Sequence, residues 1–290
     1  MRRRDLLAGF VGLGAFGLIP ERGWANVPLP ADKIAMPPAD TQDHFVKWMQ
    51  ANRGEDPAFL AQRWDRLQAL FSHKDIWGAK NIRGFLLTPR EKFVTPRNLG
   101  QAYVWHYLDI GFGVTITGPH TVARMTSALD VGPGARVLEI GTGSGYHSAY
   151  LSNLTGHVFT IEIIPALAAR TRRLYDDLIA QGYIEYKSIN TKNADGYYGW
   201  EEFAPFDRII VTCGIDHVPP PLLKQLKPDG IMVIPVGPPG AQHVLKILTA
   251  RGDDGAITTA RSDIYGGAPI SFVPFTKMEG GRVSGTHNGD

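Results

Sequence analysis

From Thr121 onward, short apolar runs alternate with longer stretches whose apolar residues recur at helical spacing. The pattern predicts helices over Val122–Leu129, Ser148–Leu154, Pro165–Gln181 and Pro219–Leu226, the last ended by Pro228 and Gly230. Between them it predicts strands over Arg136–Ile140, His157–Ile163, Ile184–Ile189, Phe206–Thr212 and Ile231–Pro235. Val244–Thr249 and Ile270–Pro274 read as late strands, the last an antiparallel addition. Continuous apolar runs such as Ile209, Ile210, Val211 suit strands buried on both faces. The alternation therefore predicts an α/β fold, a doubly wound and mostly parallel sheet with helices on both faces.

Upstream the pattern differs. Thr41–Phe71 reads as helical, with Phe45, Trp48 and Met49 on one stripe and Phe59, Leu60, Trp64, Leu67 and Leu70 on another. Such stripes are core rather than ligand platforms. Pro28, Pro30, Pro37 and Pro38 make the preceding stretch an extended lead-in, prolines break Thr88–Pro96, and Gly111–Pro119 reads as a shaped loop or short strand around Val114 and Ile116. The organisation expected is an N-terminal helical extension over 26–81, an α/β domain over 82–277 and a loose polar tail over 278–290.

Residues 1–25 stand apart. Arg2, Arg3, Arg4 and Asp5 precede the uncharged run Leu6–Ile19, and Gly23, Trp24, Ala25 gives a small-x-small ending, the three regions of an export signal peptide. The run is 14 residues, too short to span a bilayer. Arg3-Arg4-Asp5-Leu6-Leu7 resembles the twin-arginine signal, which exports folded proteins. The expectation is a periplasmic or otherwise exported protein without a membrane anchor after signal removal; a cytoplasmic location is the alternative. Of the 30 Lys and Arg and 28 Asp and Glu, the signal holds four arginines, Asp5 and Glu21, so the remainder carries 26 of each sign. A neutral body excludes nucleic-acid binding by bulk charge. The lone Cys213 excludes a disulfide framework and a cysteine zinc cluster.

The strand ending at Ile140 runs directly into Gly141, Thr142, Gly143, Ser144, Gly145. Glycines at every second position let the backbone turn through unusual dihedrals and admit a ligand to contact distance. Glu162 ends the next strand 21 residues after Gly141, where a carboxylate accepts both hydroxyls of a ribose. These features predict a nucleoside-containing ligand at the carboxyl ends of the strands. A dinucleotide fingerprint would put its third glycine at position 146, which is Tyr146, and a pyrophosphate on the helix N-terminus. Here the third glycine is Gly145, and Glu139 precedes the loop, where a carboxylate would repel phosphate and suit an amino group. A cation carrying a ribose is favoured over NAD, and S-adenosylmethionine matches. Asp195, followed by Gly196 after the next strand, is placed to accept from the adenine amino group, although Asp-Gly alone is more often a turn.

Several strings resemble, in order and spacing, the motifs of the protein-L-isoaspartate O-methyltransferases. They are TPREKFV (Thr88–Val94), VTITGPH (Val114–His120) followed by VARM at 122–125, RVLEIGTGSGY (Arg136–Tyr146), DGYYGW (Asp195–Trp200), FDRIIVT (Phe206–Thr212), QLKPDGIMVIPVG (Gln225–Gly237) and FVP (Phe272–Pro274). The resemblance spans Ile82 to Lys277, about two thirds of the chain. It implies a Rossmann-like S-adenosylmethionine-dependent methyltransferase fold that moves a methyl group to the α-carboxylate of L-isoaspartyl residues in damaged proteins or peptides. The ester then cyclises to a succinimide that can open to aspartyl, so the reaction initiates repair. Few catalytic side chains are required, because the carboxylate is already ionised and the sulfonium is a good leaving group. Positioning and desolvation supply the acceleration.

The site that the resemblance implies comprises Thr115, Glu139, Gly141, Thr142, Gly143, Gly145, Glu162 and Asp195 around the cofactor, catalytic Thr117, and Pro119, His120 and Thr212 toward the substrate. No metal is expected, His120 and His217 lacking paired ligands at metal spacing, and the protein is expected to be a monomer whose partners are isoaspartyl chains. Two departures bear on the acceptor. Thr117 stands where the family has a serine beside the substrate carboxylate, which keeps the hydroxyl and narrows the pocket. Cys213, Gly214, Ile215, Asp216 and His217 replace the family's small residues and proline, and Asp216 would repel a carboxylate unless it faces solvent. Two alternatives stay open: a methyltransferase on this scaffold with another carboxylate or a small-molecule acceptor, and a non-catalytic peptide binder.

Overall fold

The computed structural model describes residues 35–252, 257–279 and 282–284; the expected signal Met1–Ala25 lies outside them, as does most of the polar tail. Where one helical stretch is expected over Thr41–Phe71, two helices form. α1 (Gln42–Arg53) is capped by the Thr41 hydroxyl, which accepts from the His44 amide, and stops at Gly54, whose φ of 63° is left-handed. α2 (Pro57–Ser72) restarts at Asp56, whose carboxylate accepts from Ala58, with Pro57 in the first turn. α3 (Ala79–Leu87) follows, unforeseen from the sequence, and two 3₁₀ turns cover Arg90–Phe93 and Pro96–Gln101.

In the Gly111–Pro119 region the short strand expected around Val114 and Ile116 forms as one arm of a hairpin: β1 (Leu108–Gly111) pairs antiparallel with β2 (Val114–Ile116) around Gly111, Phe112 and Gly113, all at positive φ. The α/β part then runs α4 (Pro119–Leu129), β3 (Arg136–Ile140), α5 (Tyr146–Ser152), β4 (His157–Glu162), α6 (Pro165–Ala180), β5 (Ile189–Asn193), β6 (Phe206–Val211), α7 (Pro220–Gln225), β7 (Leu226–Val236), β8 (His243–Arg251) and β9 (Ile257–Asp263). A two-stranded ribbon, β10 (Lys277–Glu279) with β11 (Arg282–Ser284), follows.

The main sheet has the order β5-β4-β3-β6-β7-β8-β9, parallel through β7 and antiparallel at β8 and β9. From β3 the chain builds outward to β4 and β5 on one side and to β6 and β7 on the other. The loops after β3 and β6 therefore diverge at one point of the sheet's carboxyl edge, where open α/β sheets bind ligands. Helices cover both faces. One buried cluster joins α1 to α6 with Val137, Val158, Ile189, Ile210 and Val233; the other joins α7 with Leu138, Ile140, Phe159, Ile161, Ile209 and Val211. The two helices before position 82 thus bury their stripes in the same cluster as the helices of the α/β part.

Two strand expectations need correction, and one strand is unexpected. Ile184–Ser188 is a 3₁₀ turn and the strand begins at Ile189. Ile270–Pro274 is no strand; Ile270 and Pro274 make isolated bridges to Gln242 and Gly214. β9 went unread because six of its seven residues are exposed, so it carries no apolar alternation.

Candidate active site

A cavity of about 490 Å³ opens at the divergence of the β3 and β6 loops. One wall is the glycine loop with the end of β4, the opposite wall is 112–118 with the start of α4, and residues 270–276 close a third side. Of the residues expected at the site, Thr115, Thr117, His120, Gly141, Thr142, Gly143, Glu162 and Thr212 line it. Glu139, Gly145, Asp195 and Pro119 do not.

The glycine loop is held by residues far away in sequence. Thr212, just past β6, donates to the carbonyls of Ile140 (3.0 Å) and Gly141 (2.8 Å). A Cβ on Gly141 would lie 2.4 Å from that hydroxyl, so Gly141 is glycine because Thr212 locks the turn. From α6, Thr171 donates to the Gly143 carbonyl (2.7 Å) and Tyr175 to the Gly145 carbonyl (3.0 Å). Neither α6 residue is singled out in the sequence, where the stretch reads only as a helix. Gly145 is glycine for the same packing: a Cβ would lie 2.6 Å from Tyr175 Oη.

Glu162 stands at the carboxyl end of β4 as its spacing predicts. Its two oxygens accept from the amides of Gly143 (2.8 Å) and Ile164 (3.0 Å), which orients the carboxylate and leaves lone pairs free. Burial pushes its pKa up, against those amide bonds. Glu139 departs from the expectation. Side chains alternate along a strand, and with Leu138 and Ile140 on one face, Glu139 points with Val137 to the other. It is fully buried there, accepting from Thr160 (2.7 Å) and Ser148, and burial raises its carboxyl to about 7. It cannot meet a cofactor amino group in the cavity. Asp195 instead caps a 3₁₀ turn by accepting from the Tyr197 amide, and its neighbour Gly196 lines the cavity.

On the opposite wall, His120 stacks on Trp105, ring centroids 4.8 Å apart and planes 2° from parallel, and burial lowers its pKa. His147 also lines the cavity; burial holds it neutral, with a pKa of about 3, and it bonds Thr126 at 2.8 Å. Cys213 lines the cavity with its thiol pushed well up by burial, an inert rather than a nucleophilic setting. Asp216 faces solvent, 81% exposed, and bonds His217 at 2.6 Å. The feared repulsion of a carboxylate in the cavity is thereby avoided. Among the described residues no group of three or more His, Cys, Asp or Glu could hold a metal, and no helix is long and apolar enough to cross a membrane.

A glycine loop and an acidic strand end at the switch point of a parallel sheet, facing a hydroxyl-lined wall, define the class of Rossmann-like S-adenosylmethionine-dependent methyltransferases. The model of the protein-L-isoaspartate(D-aspartate) O-methyltransferase family matches residues 66–280, and the chain belongs to this family. It is 45% identical over 189 residues to a protein-L-isoaspartate O-methyltransferase of Anaeromyxobacter dehalogenans, covering 65% of this chain and 85% of that one. It is 41% identical to protein-L-isoaspartate O-methyltransferase 2 of Shewanella sediminis, over 77% and 86% of the two chains. Among solved structures, a Plasmodium falciparum protein of that name in complex with S-adenosyl-L-homocysteine superposes with a TM-score of 0.60 at 21% identity, covering 73% of this chain and 96% of that one. At that identity the likeness is one of fold.

Proposed function

We infer that the protein methylates the α-carboxylate of L-isoaspartyl residues in damaged proteins or peptides and so initiates their repair. The observation that carries this reading is one cavity holding both a nucleoside-type wall, Gly141 to Gly143 with Glu162, and the Thr115–His120 segment. The residues fit S-adenosylmethionine. Gly143, at φ 54°, has only Ile110 within 4 Å of where a Cβ would stand, so ligand can approach the backbone, and Glu162 retains acceptor capacity for ribose hydroxyls. When bound, S-adenosylmethionine supplies a methyl whose bond to the sulfonium breaks as a carboxylate oxygen bonds the carbon, the electron pair staying on sulfur.

The chain's own residues bind and orient. Thr212 and α6 fix the loop, and Glu162 is pre-set by two backbone amides. Thr117 presents its hydroxyl to the acceptor carboxylate, and residues 270–276 close the third side of the cavity. No general base is needed, since the acceptor is already ionised, which agrees with a cavity in which His147 is held neutral and His120 is shifted down. Incubating the protein with labelled S-adenosylmethionine and an isoaspartyl peptide, beside its aspartyl isomer, tests the reading. A base-labile methyl ester on the isoaspartyl peptide alone is expected and should persist in Thr117→Ser and fall in Thr117→Val; cofactor binding without ester formation would refute it.

We also propose export through the twin-arginine route, on the strength of Arg3, Arg4 and the uncharged run after them. A reporter fused after Ala25 that stays in the cytoplasm would overturn this.

A further inference from the structure

An isoaspartyl acceptor brings a carboxylate into the cavity, yet none of the cavity's described lining residues is Lys or Arg, and Glu162 adds negative charge. Of its three histidines, His147 is held neutral and His120 is shifted down, so neither supplies a cation at neutral pH, and His106 is exposed. A positive group does lie directly behind the wall. Arg90, in the TPREKFV string, is fully buried. Its Nε donates to the Ala102 carbonyl (2.7 Å) and its Nη2 to the Thr117 carbonyl (2.8 Å). Its guanidinium carbon sits 4.8 Å from the ring centroid of Tyr146. Thr117 and Tyr146 both line the cavity, so Arg90 touches it through two residues at once.

What distinguishes Arg90 from a structural buried arginine is that, among the described residues, no carboxylate bonds it. Arg63, equally buried in the same layer, bonds Glu55 (2.7 Å) and Glu91 (3.1 Å) and Tyr103. The Arg90 side chain donates to two carbonyl oxygens and lies against the Tyr146 hydroxyl and ring, neutral groups all. Burial lowers its pKa, but only to about 10, so it stays charged at neutral pH. A buried guanidinium without a counter-charge is costly unless an anion arrives to complete it. The α4 N-terminus points to the same place, since Gly118, His120 and Thr121 line the cavity, and its dipole adds a field of the same sign.

We propose that Arg90 is the charge that selects an anionic acceptor: a positioning residue that holds the Thr117 backbone and whose buried field favours a carboxylate in the cavity over a neutral group. This rests on the isoaspartyl reading above, which the methyl-ester assay decides separately and first. The test compares an L-isoaspartyl peptide with the same peptide carrying an α-carboxamide, binding each by calorimetry to protein saturated with S-adenosylhomocysteine. The wild type is expected to prefer the carboxylate by about tenfold or more, the scale of a charge-assisted interaction. The preference should survive about 0.5 M salt, because a buried charge escapes screening.

In Arg90→Met the ratio should fall toward one, with S-adenosylhomocysteine affinity within about twofold of wild type, and Arg90→Lys, which keeps an ammonium but loses the planar fork, should keep only part of it. A merely structural arginine would weaken both peptides equally, and an unchanged ratio in Arg90→Met overturns the proposal. Should Arg90→Met fail to fold, the salt series on the wild type decides: a preference abolished by about 0.5 M salt overturns it. If the wild type binds the isoaspartyl peptide with this preference but forms no ester, the catalytic reading fails while the role of Arg90 stands.

Discussion

Replacing Glu139 by Gln separates a cofactor ligand from a buried strut. The carboxyl is 0% exposed between α5 and β4, and its pKa stands near 7 against an ordinary 4.5 because burial disfavours the charged form more than the Ser148 and Thr160 hydroxyls favour it. The folded protein therefore binds more protons than the unfolded chain between those values. The stabilisation from the protonated form is complete below about pH 4.5, declines as pH rises, and is gone above about 7. The gap corresponds to a loss of about 3 kcal/mol.

Gln cannot ionise, so the variant should lack this loss. Its amide nitrogen takes the place of Oε1, which has no partner, at a pH-independent cost of about 1–3 kcal/mol. The prediction is therefore about slope: between pH 5 and 8, wild type should lose about 2.5 kcal/mol more than Glu139→Gln in urea unfolding followed by tryptophan fluorescence. S-adenosylhomocysteine affinity, by calorimetry, should be unchanged. Parallel pH profiles, or an affinity loss of about tenfold, would refute the placement of Glu139 behind the sheet.

Two further substitutions probe the glycine loop. Gly145→Ala sets a Cβ 2.6 Å from Tyr175 Oη and 2.7 Å from Thr171 Cγ2 at φ 90°, and should cost about 2–4 kcal/mol in thermal unfolding while the folded fraction still binds S-adenosylhomocysteine; normal stability with lost binding would contradict a packing role. Glu162→Gln must turn an amide N–H₂ toward the N–H of Gly143 or Ile164, and should weaken S-adenosylhomocysteine by about tenfold or more in calorimetry; unchanged affinity would remove Glu162 from the ribose site.

Much of the fold was legible because it is written locally. Arg136–Ile140 is a strand with the residues expected of it, and the strands at His157, Phe206 and Val244 and the helix at Pro165 lie within two residues of expectation, each carried by its own apolar period. The illegible parts lack that signal. β9 is polar and exposed, Ile184–Ser188 mimics a strand but closes as a 3₁₀ turn, and Gly54 with Pro57 splits the stretch expected as helical into two helices.

By itself the sequence determined the alternating architecture, the glycine loop, and the place of Glu162, because a parallel strand–helix–strand unit brings a strand end to one edge at a predictable distance along the chain. Only the tertiary structure decided what each of those residues serves. Glu139 lies one step from the loop in sequence, yet strand alternation turns it away from the cavity and toward Ser148. Gly145 answers to Tyr175, 30 residues later, and Thr117 is held by Arg90, 27 residues earlier. Such pairings depend on how helices and loops pack across the sheet, and no local period records them.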